Sequence, residues 1–398
     1  LMGCLRREKK HDEAYTWLAM LLDSVIGRAE KTPIQRQHDA VLAAACYADL
    51  GGRRYLLNRQ HQTKVEQLEA RLRAALVEAL AQPAPESQTP FRIEVGSALG
   101  ELGDPRFPVE MVQWQVELDR RNCTFGASEG YFCSVPAGTY RIGGWEEDDE
   151  AAEIAIPPFW IASFPVTVAQ YAPFVAAGYG PDAERWWTPN GWRWKQERER
   201  TQPWGWDDPR YHRPNQPVIG VSWYEATAFC AWLNEQVGAG LPPGYVLRLP
   251  TEAEWEAAAA YATDGTRRPY PWGDEEPTGE RAIYDAAQLD AAAPVGCCPA
   301  GAAACGALDM VGNVWEWTTS HLNTYPQGSA APVADFTQPK DFTLEEMVVP
   351  LRGGSYYNKS TYVRCGARDR LSTVGYLQGG CRVVAAPNDR TFVLNTDF

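Results

Sequence analysis

The sequence predicts an α+β chain in which a small all-α helical region precedes an irregular, loop-rich domain. Three observations carry this expectation. The first hundred residues are dominated by Ala, Leu, Arg and Glu, with apolar residues recurring at helical spacing. Near residue 125 the texture changes to short alternating runs separated by Gly and Pro. Aromatic residues are abundant (16 Trp, 18 Tyr and 12 Phe), and nearly all the Trp lie beyond Gln113. Large side chains of this kind, each burying roughly 150–250 Å², can hold a fold with little regular structure.

At 398 residues the chain is too long for one ordinary core, so two domains are expected. In the first, Tyr15, Leu18, Leu21, Leu22 and Val25 form one helical stripe, and Val41, Ala44, Ala45 and Leu50 form another. Residues 66–80 and 91–102 read as further helices, punctuated by Pro33, Gly51-Gly52 and the Pro-rich stretch 83–90. The chain begins at Leu1 inside a helix-like pattern, so residues 1–105 read equally as the tail of a longer protein. Gly103-Asp104-Pro105-Arg106 closes the helical part, and residues 106–129 read as a linker. Residues 130–385 form the second domain and 386–398 a C-terminal tail. Within it, 134–142 and 159–167 alternate like strands, while 223–236 and 251–261 are amphipathic. Thr251 with Glu254, and Ser222 with Glu225, have capping-box spacing. The long stretch 181–217 holds Trp186, Trp187, Trp192, Trp194, Trp204 and Trp206. It reads as a loop pinned by aromatic rings more readily than as a sugar-stacking platform.

Composition excludes several classes. A formal charge of −14 repels phosphate backbones, which argues against nucleic acid. No run approaches the ~20 apolar residues of a membrane span, and no charged-then-apolar leader is seen. The ten cysteines are too few for a disulfide framework at this length, and Cys297, Cys298 and Cys305 lack a paired zinc spacing. A cytoplasmic location is therefore expected.

The segment 352–384, RGGSYYNKSTYVRCGARDRLSTVGYLQGGCRVV, is the most informative part. Frame residues (Arg352, Gly353, Gly354, Arg364, Cys365, Arg368, Asp369, Arg370, Gly379, Gly380, Arg382) bracket two insertions. The first holds Tyr357, Asn358, Ser360, Thr361 and Tyr362. The second holds Leu371, Ser372, Thr373, Val374, Tyr376, Leu377 and Gln378. Tyr offers rigid contact area and Ser, Thr and Asn adaptable hydrogen bonds, so these residues are the candidate ligand-binding set. Upstream, Asp309 and Glu316 flank the Gly turn of DMVGNVWE, a hard-oxygen pattern suited to calcium. The competing reading pairs the two carboxylates with arginines such as Arg352, Arg364 or Arg368.

In order along the chain stand PFWIASFPVTVAQYAPFV, NQPVIGVSWYEATAFCAWLN, LRLPTEAEWEAAA, YPWGDEEP, DMVGNVWEW and the RGGS segment. This series resembles the formylglycine-generating-enzyme-like (sulfatase-modifying factor) family over residues 130–385. The resemblance implies a C-type-lectin-like fold. It also implies calcium ligation by the side chains of Asp309 and Glu316 and the carbonyls of Gly312 and Val314. Oxidase members carry paired copper-binding cysteines between the GGS and RC motifs, where this chain has Ser355 and Ser360 and no Cys. The related iron-dependent sulfoxide synthases carry three histidines, whereas His11, His38, His61, His212 and His321 are scattered here. The insertions also resemble those of the variable proteins of diversity-generating retroelements, in which adenine-directed mutagenesis rewrites chosen positions.

The resulting expectation is a non-catalytic protein displaying a diversified binding surface to a macromolecular, protein ligand. It would have structural calcium and no redox cofactor, and its N-terminal part would join a signalling or NTPase module. The alternative is a copper- or iron-dependent oxidoreductase of the formylglycine-generating or sulfoxide synthase type.

Overall fold

The computed structural model describes all residues except 1–5, 7, 9, 24, 27–28, 58–61, 83–88, 128–129, 146–150, 320–348, 372–376 and 389–398. Two units divide between Pro105 and Arg106. The first is helical: α1 (His11–Leu21), α2 (Pro33–Leu50), α3 (Gly52–Leu56), α4 (Gln62–Ala81) and α5 (Thr89–Glu101), with a short hairpin of β1 (Val25–Ile26) and β2 (Ala29–Glu30). Helix α2 starts cleanly because Thr32 and Gln35 close a reciprocal capping box and Pro33 occupies the first turn. Its end is set by Gly51, whose φ of +92° is the left-handed conformation that stops a helix. Leu18, Tyr47, Leu50, Leu56, Val65, Leu68 and Leu72 interdigitate as the core.

The second unit mixes helices with short strands, as the α+β expectation required. Its first helix, α6 (Met111–Asp119), lies in the stretch expected to be a linker. Trp114 and Leu118 are fully buried against Tyr131 and Phe132, so residues 106–129 belong to the folded unit. A local reading missed this because the helix is short and buries fully only Trp114 and Leu118. There follow β3 (Phe132–Val135), β4 (Gly138–Gly143), β5 (Ala151–Ile156), β6 (Phe159–Ala162), α7 (Val168–Gly178), α8 (Pro189–Glu197) and α9 (Trp223–Val237). After them come β7 (Tyr245–Arg248), α10 (Glu252–Ala260), β8 (Trp315–Trp317), β9 (Val349–Arg352), β10 (Arg368–Leu371), β11 (Gly379–Cys381) and β12 (Val384–Pro387).

One four-stranded antiparallel sheet runs β3-β6-β12-β7, and a second runs β10-β9-β8-β11, where β11 pairs parallel to β8. Strands β4 and β5 form a separate hairpin. Both capping boxes are present: Thr251 and Glu254 open α10, and Ser222 and Glu225 open α9. Every residue of α10 is buried. Its Ala run lets the helix approach its neighbours, while its glutamates must find cations inside the protein. Among the described residues no helix is long and apolar enough to cross a membrane.

Candidate functional site

The frame of segment 352–384 is built on those buried glutamates. Glu252 and Glu256 stand four residues apart on α10, hence on one helical face, where two like charges repel. Arg352 at the end of β9 lies between them: Nη1 is 3.0 Å from Glu252 Oε1 and Nη2 is 2.7 Å from Glu256 Oε2. The same Nη2 donates to the Cys365 carbonyl at 2.6 Å, tying the two ends of the first insertion together. Arg368 closes on Glu252 and Arg267 on Glu256, so each carboxylate meets two guanidinium groups. At the far end, Arg382 holds Glu316 through Nε and Nη2 and caps the carbonyls of Ala162 and Leu308, each at 2.8 Å. Trp255 Nε1 donates to Glu316 Oε2 at 2.8 Å.

Within the frame, Gly353 and Gly354 adopt φ of +96° and +77°, which lets the chain turn sharply after β9. The insertion then divides by role. Tyr357 and Tyr362 are 70% and 49% exposed, and Thr361 is exposed beside them. Ser360 opens the one-turn helix Ser360–Tyr362 and is half-buried. Asn358 is half-buried and serves its own turn. Its Oδ1 accepts the Ser355 N–H at 2.9 Å and hydroxyl at 2.6 Å, and its carbonyl accepts the Asp285 N–H at 3.0 Å. Tyr356 is buried, and burial pushes its phenol up to about 12. Leu377 and Gln378 are half-buried, and their carbonyls accept N–H groups from Gly220 and Trp315. Leu371 ends β10 opposite Val349. Ser372, Thr373, Val374 and Tyr376 lie outside the described residues.

Sequence reasoning missed Asn313. It is fully buried with φ of +61°, its side chain makes two hydrogen bonds with the Ala293 backbone, and its carbonyl receives the Tyr356 N–H at 2.9 Å. The signal was present as Gly312-Asn313, the residue pair most tolerant of left-handed turns.

The calcium set does not fit an ion. Both Glu316 oxygens are taken by Arg382 and Trp255, Asp309 Oδ2 accepts the Gly296 N–H at 2.7 Å, and the Gly312 carbonyl accepts the Val314 N–H at 2.8 Å. Arg382 supplies the positive charge that calcium would have brought, although Arg352, Arg364 and Arg368 were the arginines considered. Burial raises the Asp309 carboxyl above its ordinary 3.8, against the lowering effects of the Gly296 N–H and the Arg382 and Arg106 charges. The folded protein therefore holds that proton more tightly than the unfolded chain. This contribution to stability is full below 3.8 and is lost as pH rises through the folded value. Urea unfolding from about pH 3 to 7 should show the stability advantage of wild type over Asp309→Asn shrinking as pH rises. Calcium should leave the profile unchanged; a calcium-dependent reversal of its sign would restore the ion.

Redox metals fare similarly among the described residues, where no three His, Cys, Asp or Glu side chains gather as a metal site. Ser355 and Ser360 offer no thiolate. Cys365 and Cys381 are fully buried, and burial pushes both thiols well above their ordinary range. His11 stacks on Tyr55, His38 bonds the Ile34 carbonyl, and His212 packs edge-on to Trp206. His61 and His321 lie outside the described residues. The residues described thus fit neither copper nor iron.

Comparison with known proteins revises the functional expectation. The model of the sulfatase-modifying factor enzyme 1-like domain matches residues 124–386. A hercynine oxygenase of Mycobacterium tuberculosis is 37% identical over 238 residues, 56% of this chain and 51% of that protein. A formylglycine-generating enzyme of Thermomonospora curvata is 32% identical over 237 residues, 46% of this chain and 69% of that one. Among solved structures, Treponema denticola variable protein 1 is 21% identical, covering 66% of this chain and 98% of that one with a TM-score of 0.47. The chain spans about half the length of the hercynine oxygenases it matches. Relatives named as an oxygenase and a formylglycine-generating enzyme overturn three expectations: a purely binding role, the absence of catalysis, and the absence of a redox cofactor. Those expectations rested on missing ligand sets, and a missing set of one design says nothing about another. With the motif series, the Arg352 and Arg382 frame and the match across 124–386 in agreement, the chain belongs to the sulfatase-modifying factor enzyme 1-like family.

Proposed function

We propose that the second unit is the substrate-binding domain of an oxidoreductase of the oxygenase or formylglycine-generating kind, working in the cytoplasm. The 37% identity to a hercynine oxygenase over 238 residues carries this reading. The frame contributes what such catalysis needs from a scaffold, a backbone held rigidly enough to fix substrate geometry. Tyr357 and Tyr362, with Thr361 between them, form the face that grips a macromolecular substrate such as a peptide. The described residues fit no redox metal, so in this proposal the ligands come from outside them.

The test is oxygen uptake by the purified chain with iron(II) or copper(I), against a metal-free control. Hercynine with a thiol serves as one substrate and a Cys-containing peptide as the other. Metal-dependent uptake with one pair is expected, and Tyr357→Ala/Tyr362→Ala should raise KM about tenfold or more with little change in kcat if the peptide is the substrate. No metal binding and no uptake with either pair would remove the proposal.

A further inference from the structure

The Trp-rich stretch 181–217 holds one ring that is displayed and not pinned. Trp186 donates its indole N–H to Glu235 at 2.8 Å, Trp187 donates to the Gly178 carbonyl at 2.7 Å, and Trp206 packs on His212. Trp204 differs. It is 54% exposed, and among the described residues its indole has neither a hydrogen-bond partner nor a ring partner. Its main chain, by contrast, is fixed. The Trp204 N–H donates to the Gly220 carbonyl, and the Gly220 N–H donates to the Leu377 carbonyl, both at 3.1 Å. Residue 220 has to be small for this, because a Cβ there would stand 2.3 Å from the Trp204 carbonyl oxygen. The exposed ring therefore stands beside the end of the second insertion.

Both insertions are bonded to one short stretch of backbone. The Asn313 carbonyl accepts the Tyr356 N–H at 2.9 Å, and two residues on, the Trp315 N–H donates to the Gln378 carbonyl at 3.0 Å. An unbroken backbone path thus runs from Tyr357 through Asn313, Trp315, Leu377 and Gly220 to Trp204. Four hydrogen-bonded steps of ~4.8 Å and four residue steps of ~3.3 Å put its two ends no farther apart than about 32 Å. An extended peptide covers that span with roughly ten residues. A Trp fixed at its backbone and bare at its ring offers rigid amphipathic contact area at little entropic cost. We propose that Trp204 is a substrate-contact residue, and that the substrate is a peptide lying extended across both insertions, with a bulky apolar side chain on the Trp204 ring. This rests on the reading of Tyr357 and Tyr362 as a peptide-gripping face.

Peptide binding without metal tests it, so that grip is read apart from catalysis. The probe is a random peptide library of about fourteen residues with a central Cys, long enough to span the path. A peptide selected on the wild-type chain is then titrated against variants by fluorescence anisotropy. Trp204→Ala should weaken it about tenfold or more, Trp204→Tyr should restore part of the loss, and neither should move the melting temperature. Tyr357→Ala should weaken the same peptide. Trimming the peptide from either end to about five residues, ~17 Å, should leave each fragment sensitive to one of the two Ala variants only. Full-length binding unchanged by Trp204→Ala but weakened by Tyr357→Ala would overturn this proposal and leave the Tyr face standing. A lowered melting temperature in Trp204→Ala would assign the ring to the fold instead, and fragments sensitive to both variants would overturn the extended course. A library that yields no binder would remove the peptide-gripping face and this proposal together.

Discussion

Arg382→Met should cost the second unit about 3–5 kcal/mol, the range for stranding one charge of a buried pair. Arg382 and Glu316 are both fully buried, and the arginine also saturates the Ala162 and Leu308 carbonyls, so the variant leaves three acceptors short of donors. Urea denaturation at neutral pH reads the loss. Adding Glu316→Gln in the same chain should recover part of it, because a neutral amide no longer needs a counter-ion and can still accept from Trp255. A single-variant loss under about 1 kcal/mol would mean the pair is incidental to the frame.

Gly353→Ala should be the second large effect. At φ of +96° a side chain strains the backbone by roughly 1–3 kcal/mol before any contact is counted. The new Cβ would also stand 2.6 Å from the Met310 carbonyl oxygen, which is main chain and cannot swing aside. Movement there would disturb the bond from the Gly312 N–H to the Gly353 carbonyl, at 2.8 Å, and with it the turn beneath Tyr356. Thermal unfolding should show the lower stability, and proteolysis near Tyr357 and Tyr362 should accelerate. Unchanged melting would show that the turn relaxes freely.

Much of this architecture was legible because it is local. Capping boxes at Ser222 and Thr251 and glycine turns declare themselves within four residues. The exposure of Tyr357 and Tyr362 followed from reading the insertions against their frame. What was not legible is long-range. Glu316 finds its cation 66 residues away, and Arg352 finds Glu256 across 96, so no local spacing could assign those partners. The turn made by Asn358 was illegible for a different reason: a short amide can satisfy its own turn as well as a ligand, and composition does not distinguish the two uses. Function was misjudged because two ligand sets, two cysteines or three histidines, stood in for all redox chemistry.

The strand order β10-β9-β8-β11 places β10 and β11 at opposite edges of their sheet. The two flanks of the second insertion are therefore anchored about 14 Å apart, three interstrand gaps of ~4.8 Å. Antiparallel pairing with β9 fixes one anchor and parallel pairing with β8 fixes the other. Leu377 and Gln378 extend the second anchor, because their carbonyls accept the Gly220 and Trp315 N–H groups. The sheet, and not the sequence strung between its edges, thus sets the span, so that sequence can be exchanged while the two anchors keep their distance.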